Sequence, residues 1–279
     1  MARRTEPATT DPPARPRLVV VLPVYNEADS IRAVLAEVKE SAVRLALTGV
    51  ETSCIVVDDN SPDDSGAVAA RWAAAIDLEL SLVSGERNGL GDAMLRGLAA
   101  ALALSPSAVV TLDGDGQHNP FDIPTLYRAF DARGADIAIG SRWTRGGSAP
   151  GTSPARTVGS RVGNWMFRAI TGTRGVKDAT TSFRIYSPEA LRFLLTTDSR
   201  RYRGYSFFST TIALAEAAGL SITEVPIEFR PRYNGHSKLS RAEVWRYFRS
   251  LPELRHERRE LVGGEAAAPH SSRSDGSAP

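Results

Sequence analysis

Two carboxylates one residue apart, Asp113 and Asp115, end a short apolar run, and Gln117 follows two residues later. Three such oxygen donors can converge on one hard cation, Mg²⁺ or Mn²⁺, with diphosphate oxygens completing its shell. Gly114 and Gly116 let the backbone turn and a ligand approach. A ligand-free turn rich in Asp and Gly has the same spelling, so the motif alone leaves both readings open. A second acid pair, Asp58 and Asp59, ends another apolar run. A carboxylate there can accept hydrogen bonds from a nucleobase or ribose, although Asn60-Ser61-Pro62 would equally suit an Asx-turn. Tyr25, Asn26 and Glu27 follow a third run, where they could meet a nucleotide or simply form the first turn of a helix.

These clusters need a frame. Apolar runs at 17–24, 52–58, 78–84, 108–113 and 135–140 read as strands, and segments at 30–47, 63–76, 91–104 and 123–133 read as helices, with Ser30 as the expected cap of the first. Short apolar strands alternating with helices predict an α/β fold, a mostly parallel Rossmann-like sheet with helices on both faces. Ligands of such sheets bind at the carboxyl ends of the strands, which is where the polar clusters fall, Ser141-Arg142 among them. Beyond a Gly/Ser/Pro loop at 146–154, helices are expected at 157–170, 188–195, 207–218 and 241–254, and strands at 181–186 and 221–229.

The chain has 279 residues, 42% hydrophobic and 24% charged, with a net charge of +2 and one cysteine. That excludes an internal disulfide and fits a reducing cytosol. The charge is uneven: residues 51–140 hold 14 acids against 5 bases, whereas 142–177 hold 7 bases and no acid. A stretch without acids faces solvent or meets anions. No run of 18 apolar residues exists, so no span of the membrane is expected. Residues 1–16 read as a disordered leader and 255–279 as a disordered tail. They flank one domain at 17–254, divided into a first half (17–140) and a second half (141–254). Val158, Val162, Trp165, Met166 and Ile170, and again Val244, Trp245, Phe248 and Leu251, form apolar stripes beside arginines. Such stripes suit either the core or the interface of an anionic membrane. A dinucleotide dehydrogenase is disfavoured: Gly89-Leu90-Gly91 follows the third strand, position 94 is Met, and no glycine loop follows Val24. No Walker motif and no Gly-x-Ser-x-Gly elbow is present.

The motifs V-L-P-V-Y-N-E from Val21, V-V-D-D-N-S-P-D from Val56, N-G-L-G-D-A from Asn88, L-D-G-D-G-Q-H-N-P from Leu112 and G-S-R-W from Gly140 resemble family-2 glycosyltransferases of the GT-A fold. D-A-T-T-S-F-R from Asp178, E-V-P-I-E-F-R from Glu224 and G-H-S-K from Gly235 narrow the resemblance to the dolichol- or polyprenol-phosphate mannose synthases, over about Arg17 to Leu251. The resemblance implies a metal (Mg²⁺ or Mn²⁺) on Asp113, Asp115 and Gln117, and a nucleotide on Pro23, Tyr25, Glu27, Asp58 and Asp59. It implies a lipid phosphate at Arg142, Arg156 and Ser160, and diphosphate or donor sugar at Arg184 and Lys238. Asp115, Arg142 and Arg156 would carry the catalysis.

The implied reaction moves a hexose, mannose from GDP-mannose, to a polyprenyl phosphate with inversion. The implied setting is the cytoplasmic face of a membrane, directly or through an anchoring partner, and no nucleic acid is expected. The sequence departs from the branch at Ser182, where Gly is usual, at Thr210, where a Glu is usual, and in lacking the two transmembrane helices of some members. Other readings are a glucosyltransferase using UDP-glucose, a transferase to a hydroxyl acceptor with Glu216 or another carboxylate as base, and an inactive nucleotide-sugar-binding subunit. Intact Asp113, Asp115, Arg142 and Arg156 weigh against the last.

Overall fold

The computed structural model describes residues 15–197, 206–233 and 241–265. Its strands are β1 Arg17–Val24, β2 Glu51–Asp58, β3 Leu80–Ser84, β4 Ala108–Thr111, β5 Ile137–Ser141, β6 Arg184–Tyr186 and β7 Ile222–Pro226. Its helices are α1 Ala28–Ala46, α2 Ser65–Ala75, α3 Leu90–Ala103, α4 Ile123–Arg133, α5 Pro154–Thr171, α6 Pro188–Thr196, α7 Ser206–Ala217 and α8 Arg241–Glu265.

The strands form one sheet in the order β3-β2-β1-β4-β6-β5-β7. All described pairings are parallel except those of β6, which runs antiparallel to β4 and β5. The central strand shows why its apolar run is unbroken. Leu18, Val20, Leu22 and Val24 pack under α1, α2 and α4, while Val19 and Val21 pack under α3 on the other face, in a core shared with α6, α7 and α8. Both sides of the pleat are buried, so both must be apolar. α3 lies so close to the sheet that a Cβ on Gly97 would press into Val21 and Val57.

The sheet grows from β1 toward β3 on one side and resumes at β4 on the other. This reversal beside β1 opens a crevice at the carboxyl ends of the strands.

Three expectations change. Ser30 does not cap α1: the carbonyl of Glu27 takes the Ser30 and Ile31 N–H groups, at 3.1 and 2.9 Å. The Ser30 hydroxyl points inward and donates to the Gly114 carbonyl at 2.8 Å. β6 is shorter than the run at 181–186, because Thr181 and Ser182 turn toward the crevice. The expected tail begins inside α8, which continues to Glu265. Leu251 and Leu254 anchor that helix in the core, and Arg258 pairs with Glu216 of α7 at 3.1 Å. The rest of the tail, residues 266–279, and the leader at 1–14 lie outside the described residues.

Candidate functional site

The loop after β4 carries the acid pair. Asp115 is buried, and its Oδ1 accepts the Gln117 N–H at 2.9 Å, closing the turn at Gly116. Gly116 has φ +81°, and a Cβ there would collide with the Tyr233 ring. Burial and the neighbouring Asp113 charge raise the pKa of Asp115, an effect that Arg232 opposes. The Ser182 hydroxyl donates to Asp113 Oδ1 at 2.7 Å, so the residue that departs from the family pattern orients a candidate metal ligand. His118 Nδ1 accepts the Asp113 N–H at 3.3 Å and lies 3.7 Å from its Oδ2. Burial pulls His118 down to about 4, so the ring is neutral and the contact is not an ion pair.

Arg232 was not anticipated from the sequence. Its Nη1 lies 2.8 Å from Asp115 Oδ2, and its Nη2 donates to Gln117 Oε1 at 3.0 Å. The segment bearing it is strapped over the acid loop: Arg230 N–H donates to the Gln117 carbonyl, Tyr233 N–H to the Asp115 carbonyl, and the Tyr233 hydroxyl to Glu37. A cationic group thus sits on two of the three expected metal donors, so this oxygen set does accept positive charge. Among the described residues no three His, Cys, Asp or Glu side chains cluster as a metal site. The set here is two carboxylates and an amide, hard oxygens that suit Mg²⁺ or Mn²⁺.

The loops after β1 and β2 meet this loop. Pro23 is buried within β1. A Cβ on Gly114 would strike the Glu27 carboxylate, which places Glu27 against the acid loop. Asp58 and Asp59 diverge. Asp58 Oδ1 accepts the Ser61 N–H and hydroxyl, as in an Asx-turn, and its Oδ2 lies beneath Gly66. Asp59 instead pairs with Arg96 of α3, which Asp92 also contacts at 3.2 Å. Tyr25 stacks with Arg87, whose guanidinium carbon is 3.9 Å from the ring centroid.

On the other side of the crevice, Arg142 follows β5. Its Nε and Nη2 fork onto the buried Asp178 at 2.7 Å each, and Asp178 also accepts the Arg142 N–H at 3.0 Å. Burial would raise Asp178, but the Arg142 charge and hydrogen bonds outweigh it and the net shift is downward. Asn164 of α5 accepts the Ala179 N–H at 2.8 Å and so ties α5 to the loop holding Asp178. Arg142 and Arg161 both pack on the Trp143 ring, at 5.3 and 4.9 Å from its centroid. That ring joins Arg142 to α5, whose first turns carry the exposed Arg156 and the half-buried Ser160. Removing one partner of a buried pair strands the other charge, so Asp178→Ala should cost about 3–5 kcal/mol of stability. Chemical denaturation would show it as a lowered midpoint, and an unchanged midpoint would refute the assignment.

The model of the family described as glycosyl transferase family 2 matches residues 19–195. The chain is 34% identical over 242 residues to polyprenol monophosphomannose synthase of Mycolicibacterium smegmatis, covering 86% of each chain. The chain belongs to glycosyl transferase family 2. It is 32% identical over 224 residues to undecaprenyl-phosphate mannosyltransferase of Micrococcus luteus, covering 80% of this family-2 chain and 88% of that one.

Among solved structures, mannosyl-3-phosphoglycerate synthase of Rubrobacter xylanophilus superposes with a TM-score of 0.56 at 18% identity, covering 94% of this chain and 78% of that one. The mannosyltransferase PcManGT of Pyrobaculum calidifontis, in complex with GDP-Man and Mn²⁺, gives 0.53 at 18% identity, covering 99% and 81%. The fold of this family-2 glycosyltransferase is GT-A.

Arg184 calls for correction. It is fully buried, and it donates to the Phe208 and Ala179 carbonyls at 2.7 and 2.8 Å and to Thr211 at 3.1 Å. It fastens β6 to α7 and does not reach donor diphosphate or sugar. Lys238 lies outside the described residues. Asp178 and His118 are further residues that the sequence reading did not assign to the site. For Asp178 the available signal in the sequence is an acid directly beyond an acid-free stretch.

Proposed function

We propose that this glycosyltransferase moves mannose from GDP-mannose to the phosphate of a polyprenyl phosphate, inverting the anomeric carbon. What carries the reading is the acceptor side. Arg142 and Arg161 share the Trp143 ring beside the first turns of α5, which carry Arg156 and Ser160. The relatives' names, a polyprenol monophosphomannose synthase and an undecaprenyl-phosphate mannosyltransferase, point the same way.

A phosphate monoester near neutral pH is already largely ionised, with a second pKa of about 6. Its oxygen attacks the anomeric carbon as the bond to the donor diphosphate breaks, and the bonding electrons leave with the diphosphate. No proton has to be removed. A hydroxyl acceptor would need a base, and Glu216 is poorly placed for that: it accepts the Arg174 and Gly175 N–H groups and pairs with Arg258. Asp113, Asp115 and Gln117 would hold a Mg²⁺ or Mn²⁺ ion, which as a Lewis acid neutralises charge growing on the leaving diphosphate. Arg232 would exchange its acid partner for that diphosphate. Asp59 and Tyr25 would hold the nucleoside, and Arg142, Arg156 and Ser160 would collect the lipid phosphate.

Transfer of labelled mannose from GDP-mannose to a polyprenyl phosphate in the presence of Mg²⁺ tests the reading. Transfer to a hydroxyl acceptor, with none to the lipid phosphate, would overturn it.

The acceptor is a lipid, so the enzyme would work at a membrane surface as a peripheral protein. No described helix is long and apolar enough to cross a membrane. The apolar stripes divide in a way that supports docking. On α5, Phe167 is buried but Val158 and Trp165 are 60% and 61% exposed. On α8, Leu251 is buried but Trp245 is 59% exposed, with Arg249 stacked on its ring at 4.6 Å. The two helices pack together where Gly163 meets Phe248. Exposed tryptophans beside arginines, on α5 with its Arg156 and Ser160 and on the helix packed against it, suit an anionic bilayer. The protein should sediment with anionic vesicles at low salt, and Trp165→Ala with Trp245→Ala should weaken this about tenfold or more, since each removes an indole from the interface. Absence of sedimentation with and without a membrane partner would end the docking reading.

A further inference from the structure

Val24, Asp58 and Ser84 are in register on β1, β2 and β3. Tyr25, Asp59 and Gly85 are therefore the first residues beyond three adjacent parallel strands, whose spacing is about 4.8 Å. The Gly85 N–H still donates to the Asp58 carbonyl at 3.1 Å, so the alignment persists past the last ladder bond. Arg87, two residues farther on, reaches back across the end of β2. Its guanidinium carbon lies 3.9 Å from the Tyr25 ring centroid, and its Nη1 donates to the Tyr25 hydroxyl at 3.1 Å. Asp59 stands on the strand between the two, with Arg96 on its Oδ1.

This arrangement is specific for an arginine. The Tyr25 ring supports the guanidinium plane and its hydroxyl holds one terminal nitrogen. The guanidinium's other two-point donor edge is Nε with Nη2. Arg87 itself is solvent-exposed and supports no part of the core.

We propose that Arg87 reads the O6 and N7 acceptors of a guanine base and so makes the enzyme select a guanine over a uracil nucleotide. The proposal rests on the donor reading above and adds the residue that sets it. Guanine presents O6 and N7 as neighbouring acceptors that match a guanidinium fork, and adenine replaces O6 with a donor amino group. Uracil offers O4 beside a carbon-bound hydrogen, so only one contact forms.

The test is equilibrium binding of GDP, UDP and 7-deazaguanosine diphosphate by calorimetry with Mg²⁺, which needs no acceptor and no turnover. Wild type should bind GDP more tightly than UDP. Loss of a bidentate base contact should weaken GDP binding to Arg87→Ala on the order of 10- to 100-fold. UDP binding should change by less than about threefold, since only one contact at most is lost. The 7-deaza analogue should bind wild type more weakly than GDP does and be less sensitive to the substitution. Equal weakening of GDP and UDP would make Arg87 a general attractor of diphosphate and overturn the proposal. So would unchanged GDP binding, or a wild type that prefers UDP. A UDP preference would leave transfer to polyprenyl phosphate standing as a separate question, whereas GDP selectivity without such transfer would keep Arg87 as the base reader and remove the acceptor reading.

Discussion

Asp115→Asn is expected to lower turnover by about 10²- to 10³-fold, the scale of losing one well-placed electrostatic contact to a transition state. The fold should survive, because the retained amide oxygen can still accept the Gln117 N–H that closes the turn, a bond of 2.9 Å in the parent. What is lost is charge. Asp115 is buried beside Asp113, and both effects disfavour its ionised form. The Asp115 charge is met here by Arg232 at 2.8 Å, and in the proposed reaction a divalent ion would meet it. A chelator should therefore abolish transfer, and Mg²⁺ or Mn²⁺ should restore it. Circular dichroism should not distinguish the variant from its parent, and in calorimetry Asp115→Asn should bind Mn²⁺ more weakly in the presence of GDP. Full activity in excess chelator would remove the metal from the reaction.

The frame of this site was legible because each relevant signal was local. The unbroken run from Leu18 to Leu22 demanded a strand buried on both faces, and the sheet places it at the centre. Asp113, Asp115 and Gln117 were legible as one cluster because a single turn holds them together. Arg232 was not, because it arrives from 115 residues away and only the sheet brings it to Gln117. Arg184 failed for a reason that the strand period explains. Phe183 and Ile185 face the α1 side, so Arg184 must point with Tyr186 to the opposite face, into the core beneath α7. Asp58 and Asp59 are adjacent in a chain whose side chains alternate, so one turned into the loop and the other toward α3. Residues 255–265 looked like tail by composition, but composition could not register that Arg258 has a partner in Glu216.

Arg156→Ala is expected to reduce use of the polyprenyl phosphate about 10²-fold in kcat/KM while leaving GDP binding unchanged, as befits one lost contact to a developing or bound charge. Arg142 would be the poorer probe of the acceptor side. Its fork is closed on Asp178, and removing it would leave a buried carboxylate uncompensated at a cost of about 3–5 kcal/mol, so lost activity would be confounded with lost stability. Arg156 carries no such burden. It is exposed on the first turn of α5, where the Ser153 hydroxyl caps the helix by accepting the Arg156 N–H at 3.4 Å. Helix N-termini carry partial positive charge and favour phosphate, and the next turns add Ser160 and Arg161. A lipid phosphate there would meet donors from side chains and helix together, with its anionic oxygen aimed at the donor held across the crevice. Arg156→Lys should restore only part of the loss, because an ammonium replaces a planar fork with a single point of charge. Separate determination of KM for the lipid and affinity for GDP would distinguish this from general damage. Efficient glycosylation of a hydroxyl acceptor that ignores Arg156→Ala would move the nucleophile elsewhere, and a carboxylate other than the occupied Glu216 would have to serve it.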